Sequence, residues 1–210
     1  MCAGWWGAEP MEAFTRLDAV AVPMARPNID TDQIIPARFL SRPREVDHGQ
    51  FLFHDARRLP DGEQNPEFPL NRPEWQSARI VVGGRNFACG SSRESAVWAL
   101  FDAGFRCAIA PSFGDIFRNN GMKNGLLPVV LPAEVVEAII AQLEAEPGAR
   151  IGVDLPTQTV TAPDGSVHSF EIDPFAKHCL LNGLDDFGLT AAYEEDIAAF
   201  ERRYGRENTL

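Results

Sequence analysis

The stretch Val81–Glu94, with the sequence VVGGRNFACGSSRE, decides the fold of this 210-residue chain. A β-branched run, Ile80–Val82, leads into two glycines and then into a polar loop that ends in a second glycine-serine cluster. Beyond Glu94, apolar residues recur at helical spacing until Gly104: Ala96, Val97, Leu100 and Phe101. The pattern predicts a strand, a glycine-rich loop and the first turn of a helix.

The loop has two open interpretations. Glycines let the backbone approach a ligand closely, and free N–H groups at a helix start attract anions; Arg85 and Arg93 add guanidinium groups suited to carboxylates. Alternatively, Ser91 and Glu94 have the spacing of a capping box, which would be purely structural. The stretch lacks the GxGxxG pattern of dinucleotide-binding folds, the GK[ST] of phosphate-binding loops and the GxSxG of hydrolases.

The chain resembles a known family in several ordered motifs. GRNFACGSSRE, together with NIDTDQIIPARFL before it and NGLLPVVLP after it, is similar to the small subunits of 3-isopropylmalate dehydratase, which correspond to the swivelling domain of the aconitase superfamily. The segments AIAPSFGDIFRNN and HCLLNGLDDFGLT extend the resemblance, so that it runs from about Phe14 to the C-terminal helix.

Secondary-structure patterns predict an α/β protein. A strand is predicted over Phe14–Met24. From Ala78 strands and helices alternate, which favours parallel pairing of the strands. Beyond Arg150 apolar residues recur at every second position, which favours antiparallel strands. Predicted strands are Arg79–Val82, Cys107–Ala110, Leu126–Leu131, Ile151–Leu155, Thr157–Thr161 and Val167–Ile172. Predicted helices are Arg93–Ala103, Phe113–Asn119, Ala133–Glu146, Phe175–Leu181 and Thr190–Tyr204. The resemblance implies a three-layer β/β/α swivelling domain with a mainly parallel central sheet and an antiparallel layer.

Domain organisation is predicted to be simple. Residues 14–210 form a single domain, preceded by a disordered extension over residues 1–13. Residues 41–76 are irregular in pattern and are expected to be mobile and close to the substrate and partner, because loops of this length inside a domain are usually functional.

Composition excludes several function classes. The net charge of −11 argues against nucleic-acid binding, and positive charge comes from 17 arginines and only two lysines. The four cysteines lack CxxC spacing, which argues against a self-contained iron–sulfur or zinc site. The N-terminus has no signal-peptide pattern and no long apolar run is present, so we expect a cytoplasmic protein.

The resemblance implies roles for the glycine-rich loop. The first serine of the SSR triplet in aconitase-type sites is the catalytic base, and this role falls on Ser91. Ser92 and Arg93 would stabilise the resulting alkoxide and bind a substrate carboxylate.

The NIDTDQ motif supplies a second set of candidates. The spacing alone indicates an Asx-turn. The resemblance adds a catalytic support role for Asp32, with Thr31 beside it in the substrate site. Arg38, Phe39 and Leu40 occupy the segment that selects the substrate, and the substrate arginine of this region is one of Arg38, Arg42 and Arg44.

The implied activity is that of a hydro-lyase subunit, interconverting 2-isopropylmalate and 3-isopropylmalate in leucine biosynthesis. It requires a large subunit that carries a [4Fe–4S] cluster, while this chain binds no metal. The alternatives are the small subunit of a homoaconitase or of a methylmalate or maleate hydratase, a serine hydrolase using Ser91 or Ser92, and a noncatalytic regulatory or RNA-binding module. The apolar side chains of Phe39 and Leu40 favour an alkyl-substituted substrate over one with a third carboxylate.

Overall fold

Strand β1 (Arg16–Met24) is the centre of the sheet, and its two halves pair with different neighbours. Its first five residues alternate between exposed and buried and pair antiparallel with β5 (Arg150–Asp154). Its last four residues, Ala21–Met24, are all buried and pair parallel with β2 (Ile80–Gly83). The change in burial follows from the pairing, because parallel strands are covered on both faces whereas antiparallel strands can face water on one.

The computed structural model describes residues 11–90, 93–191 and 193–207. Its strands form one seven-stranded sheet with the order β4-β3-β2-β1-β5-β6-β7. The predicted α/β class and the mixture of parallel and antiparallel strands are confirmed.

The parallel half follows the predicted alternation of strands and helices. β3 (Cys107–Ala110) and β4 (Leu127–Val130) continue from β2, and the connecting helices are α2 (Glu94–Asp102) and α3 (Asp115–Lys123). β4 contains Pro128, which lacks a backbone N–H, and accordingly it lies at the edge of the sheet. Helix α4 (Ala133–Ala145) then returns the chain to β5.

The antiparallel half is completed by two short strands, β6 (Thr159–Thr161) and β7 (Val167–Ser169). The turn between them closes with a hydrogen bond of 2.9 Å from the Ala162 N–H to the Ser166 carbonyl, and Gly165 adopts φ +84° within it. The turn therefore lies at the predicted Pro-Asp-Gly sequence.

The two faces of the sheet carry separate hydrophobic clusters. One is covered by α2, α3 and the segment 41–76, whose Leu52, Phe53, Leu70 and Trp75 are buried in it. That segment contains short 3₁₀ helices at His48–Phe51, Pro69–Asn71 and Pro73–Trp75. The other cluster is covered by α4. Mobility of the segment stays a prediction, but its apolar side chains belong to the core.

The C-terminal region differs from the sequence-based expectation. Helix α5 (Pro174–Asn182) extends one residue beyond each end of its predicted range. The Asp173 carboxylate accepts hydrogen bonds from two backbone N–H groups at its start, and Gly183, with φ +64°, follows its end. The prediction of a single helix over Thr190–Tyr204 is wrong, because the chain forms two helices there, α6 (Asp186–Ala191) and α7 (Glu194–Glu207). Three acidic residues open α7, and negative charge there stabilises a new helix start.

Near the other terminus, residues 1–10 of the predicted extension lie outside the described residues. Met11 packs on the cluster beneath α4, and Glu12 lies 3.6 Å from Arg106. The domain boundary itself stays a prediction. None of the described helices combines the length and apolar character needed to cross a bilayer.

Candidate active site

The carboxyl ends of β1, β2 and β3 meet at one edge of the sheet, and the loops that follow them are joined by backbone hydrogen bonds. Thr31 N–H donates to the Cys89 carbonyl at 3.0 Å, and Cys89 N–H donates to the Ile29 carbonyl at 3.2 Å. Gly114 N–H donates to the Phe87 carbonyl at 3.0 Å. This edge is where ligands bind in open α/β sheets.

The glycine-rich loop, residues 83–93, has an unusual backbone. Asn86, Ala88 and Gly90 all adopt positive φ, at 60°, 55° and 98°. For alanine this conformation is unfavourable by about 1–2 kcal/mol, so the surrounding contacts must hold it. A Cβ atom on Gly114 would lie only 2.5 Å from the Ala88 carbonyl oxygen, which shows how closely the β3 loop supports this loop.

The NIDTDQ motif forms helix α1 (Thr31–Ile34), and Asp30 is the N-cap residue of this helix, where the sequence alone predicted an Asx-turn. The Asp30 carboxylate caps the helix by accepting a hydrogen bond from Gln33 N–H at 2.7 Å. Thr31 is buried, while Asp32 faces outward with a side chain that is 54% exposed. One aspartate is therefore used for local structure and the other is available to the site.

Asp32 and Arg93 form an ion pair across 61 residues of sequence. The guanidinium is only 22% exposed and, within the described part of the chain, Asp32 is the one carboxylate paired with it. Arginine has five N–H donors, so this contact leaves further donors for a ligand carboxylate. The structure thus brings together three predicted site residues, Thr31, Asp32 and Arg93.

Ser91 and Ser92, the predicted base and its neighbour, lie outside the described residues. The helix that follows them starts at Glu94, and its N-cap residue, Arg93, makes no side-chain capping bond. Glu94 is thus the first helical residue, not the third that a capping box at Ser91 requires. Its carboxylate instead accepts a hydrogen bond from Asn124 Nδ2 at 2.8 Å.

Sequence reasoning missed the role of Asn124. Its amide oxygen also accepts a hydrogen bond from Trp98 Nε1 at 3.1 Å, so it connects the start of α2 to its middle. Asn124 is the first residue of the NGLLP motif, and membership of that motif was the signal available for it.

The predicted specificity segment lies in a short 3₁₀ helix, Ala37–Phe39. Arg38 is paired with both oxygens of Asp55, and its guanidinium stacks on the Phe39 ring at 4.6 Å. Phe39 in turn stacks on Phe51 at 4.3 Å, and Leu40 packs against the core. Hydrogen bonding to Arg38 lowers the pKa of Asp55 to about 2.

The other two candidate arginines differ sharply in their surroundings. Arg44 makes two hydrogen bonds, of 2.9 and 3.0 Å, to the carboxylate of Asp102 at the end of α2. Arg42 is exposed, and no ion pair involves it among the described residues. Of the three, Arg42 is the one whose charge is not already matched by a carboxylate in the described structure.

A cavity of about 320 Å³ lies elsewhere, between residues 49–78 and the end of α2. Its lining includes Arg57, Asn71 and Trp75 but neither Asp32 nor Arg93. Burial, together with the neighbouring Arg58, lowers the pKa of the Arg57 guanidinium. No group of three or more histidine, cysteine or acidic side chains within residues 11–90, 93–191 and 193–207 is arranged to bind a metal.

Comparison with known proteins identifies the family. The model of the aconitase C-terminal domain matches residues 11–134, and a second model, LeuD_N, matches residues 137–174. A 3-isopropylmalate dehydratase small subunit from Paramagnetospirillum magneticum is 53% identical over 191 residues, covering 91% of this chain and 95% of the relative. The chain belongs to the 3-isopropylmalate dehydratase small-subunit family. A family member from Saccharophagus degradans is 49% identical over 200 residues, covering 91% and 93% of the two chains.

A solved structure supports the fold of the family member described here. The crystal structure of a 3-isopropylmalate dehydratase from Methanocaldococcus jannaschii superposes with a TM-score of 0.65, covering 88% of this chain and 98% of that one. Its sequence is 22% identical, so this comparison bears on the fold alone.

Proposed function

We propose that this chain is one half of a shared active site, completed by the large subunit of 3-isopropylmalate dehydratase. The chain is a small subunit of this hydro-lyase and acts in leucine biosynthesis. The observation that supports the half-site is the Asp32–Arg93 contact, because it joins two separate motifs of the family at the edge of the sheet.

The reaction moves a hydroxyl group between adjacent carbons through dehydration and rehydration. The proton that is removed lies next to a carboxylate, so negative charge spreads into that carboxylate in the transition state. Arg93 would hold the carboxylate through its free N–H donors, and Asp32 would fix the orientation of the guanidinium. Arginine suits this role because its planar group binds both carboxylate oxygens at once.

Ser91 is proposed as the base, by resemblance to aconitase-type sites. An alcohol has a pKa near that of water, about 15.7. Ionisation at neutral pH therefore requires a pKa lowered by roughly 9 units, or about 12 kcal/mol at about 1.36 kcal/mol per unit. The dipole of α2 contributes at most about 2 kcal/mol. The rest must come from Arg93, the exclusion of water and the bound substrate, so the isolated chain is expected to be inactive.

The leaving hydroxyl requires a Lewis acid, which we assign to a [4Fe–4S] cluster in the large subunit. Arg42 is proposed to contact substrate near the mouth of the site. Arg38, Phe39 and Leu40 are proposed to select the alkyl group, and Thr31 and Ser92 to line the site.

The two halves of the sheet that diverge from β1 are proposed to be the two β layers of a three-layer β/β/α swivelling domain. A cytoplasmic location is proposed, in keeping with the free thiols of Cys89 and Cys107.

The alternatives are separable by assay. Homoaconitate, methylmalate and maleate remain candidate substrates within the same chemistry. A serine hydrolase would need a histidine next to the serine. His48 bonds to the Val46 carbonyl, His54 lies beside Asp55 and His168 bonds to Ser166, so these three are engaged away from the glycine-rich loop.

The test is co-purification with the large subunit under anaerobic conditions, followed by assay with 3-isopropylmalate. Replacing Ser91 by alanine should lower kcat by about 10²–10⁴, the range for acid–base groups. Arg93→Lys should also be damaging, because an ammonium cannot replace the planar fork, whereas Arg16→Lys, at an exposed strand position, should be neutral. Near-normal turnover of Ser91→Ala would remove the serine from the mechanism.

A further inference from the structure

Glu94 follows Arg93 directly in the chain, yet the two side chains are not paired. Within the described residues, Asp32 is the one carboxylate in contact with the Arg93 guanidinium, and the Glu94 carboxylate is bonded elsewhere. Adjacent Cα atoms are only about 3.8 Å apart, and Arg93, as the N-cap residue, lies outside the helical backbone with φ −93° and ψ 108°. A released Glu94 side chain can therefore move towards this guanidinium, so its observed position requires a cause.

Asn124 supplies that cause. Its Nδ2 donates hydrogen bonds to Glu94 Oε1 at 2.8 Å and to the Asn120 carbonyl at 2.9 Å, while its Oδ1 accepts one from Trp98 Nε1 at 3.1 Å. Both amide protons and the amide oxygen are thus engaged, which fixes the orientation of the side chain. Asn124 is also the C-cap residue of α3, so the end of α3 holds the first residue of α2.

The position of the Glu94 carboxylate matters because Arg93 is the proposed anchor for a substrate carboxylate. The Arg93 side chain is 22% exposed and is already paired once, with Asp32. A second carboxylate on the remaining N–H donors would occupy the place of a substrate carboxylate, and its charge would repel an anionic substrate. The hydrogen bond from Asn124 keeps that negative charge at the end of α3.

We propose that Asn124 is a positioning residue of the dehydratase, which holds Glu94 so that the N–H donors of Arg93 stay free for the substrate carboxylate. This inference rests on the proposed function, since it takes Arg93 as the carboxylate-binding group. Asn124 does not touch the reacting atoms. Loss of its hydrogen bond should therefore raise KM and leave kcat nearly unchanged, because saturating substrate displaces the competing carboxylate.

The test separates release of Glu94 from loss of structure. Asn124→Ala releases the Glu94 carboxylate, and Asn124→Ala/Glu94→Gln releases a neutral side chain that carries no charge to compete. Trp98→Phe is the matched control, because it removes the other side-chain bond to Asn124 and leaves the Glu94 bond in place. The kcat and KM for 3-isopropylmalate are measured on complexes reconstituted with the large subunit under anaerobic conditions, and the Tm of each chain is recorded.

We expect Asn124→Ala to raise KM about tenfold, the scale of one hydrogen bond to a charged group, with kcat within about twofold of wild type. Adding Glu94→Gln should return KM to within about threefold of wild type, although it does not restore the lost amide. Trp98→Phe should leave KM unchanged even if it lowers Tm by as much. Asn124→Asp keeps the side-chain size and the acceptor for Trp98 but repels Glu94, so it tests the same point if the alanine variant does not fold.

Three results would overturn the inference. A KM increase that persists in Asn124→Ala/Glu94→Gln, or that Trp98→Phe reproduces, would show a purely structural role. A wild-type KM for Asn124→Ala, in an assay where Arg93→Lys is impaired, would show that Glu94 does not compete for the guanidinium. If Arg93→Lys is unimpaired as well, the carboxylate-binding role of Arg93 fails and the proposed half-site fails with it, so the two failures are distinguishable.

Discussion

Replacing Gly114 by alanine should damage both stability and catalysis, although Gly114 is not a candidate catalytic residue. Its φ and ψ of −62° and 131° suit alanine, so the backbone angles are no obstacle. The obstacle is distance, since the new Cβ would lie 2.5 Å from the Ala88 carbonyl oxygen. Because ordinary contacts are about 3.4 Å, the two loops must separate by nearly 1 Å.

The expected magnitudes follow from this displacement. Overpacking of this kind costs about 1–3 kcal/mol, and in a domain of this size each kcal/mol lowers Tm by about 2–4 °C. Ala88 lies three residues before Ser91 and five before Arg93, so the shift is transmitted to the site. A misplacement of about 1 Å costs roughly 10²-fold in rate.

The assays are thermal unfolding of the chain and kcat/KM of the reconstituted complex. Gly152→Ala is the matched control, because its added methyl would lie 3.5 Å from Thr161 Cβ within strand β5 and should be neutral or slightly stabilising. An unchanged Tm for Gly114→Ala would refute the steric argument. A lowered Tm with wild-type kcat/KM would refute the mechanical link between the two loops and the site.

Three further predictions concern stability and reactivity. Hydrogen bonding to Arg38 depresses the pKa of Asp55 to about 2, so the stabilisation from this pair is present above about pH 4 and is lost as pH falls through 2. Urea unfolding should show Arg38→Gln less stable than wild type by at most about 1 kcal/mol at pH 7, and this difference should shrink to a small fraction of that value at pH 2. An undiminished difference at pH 2 would contradict the assignment. Asp102→Ala removes the carboxylate that accepts two hydrogen bonds from the Arg44 guanidinium and one from the His48 backbone N–H, so the free energy of unfolding should fall by about 2–4 kcal/mol. A loss below about 0.5 kcal/mol would show that these hydrogen bonds do not stabilise the fold. Burial raises the pKa of the Cys107 thiol, so mass spectrometry after iodoacetamide treatment should find Cys89 modified well before Cys107; simultaneous modification would contradict the burial.

Sequence patterns predicted the regular elements because those elements are governed by periodicity. The strand over Cys107–Ala110 has the predicted bounds, and α4 differs from its prediction by one residue. The period change near Arg150 correctly separated the antiparallel strands from the parallel ones. Periodicity could not show which strands are neighbours in the sheet. The division of β1 between two partner strands, β2 and β5, depends on residues far away in sequence.

Sequence motifs gave the residues of the candidate site but not its geometry. The resemblance named Asp32 and Arg93 separately as site residues, and the structure shows that the two form an ion pair. The partner of Arg38 was not predictable, because Asp55 lies 17 residues away in a segment without regular pattern. The break between α6 and α7 was missed because the helical spacing of the apolar residues continues through it.

The central place of β1 also bears on synthesis of the chain. Met24 emerges from the ribosome 126 residues before Arg150, the first residue of β5. At about 5–20 residues per second, roughly 6–25 seconds pass before both edges of β1 can be covered. During that interval a nascent strand of nine residues, apolar over its second half, is available to chaperones or to misassociation.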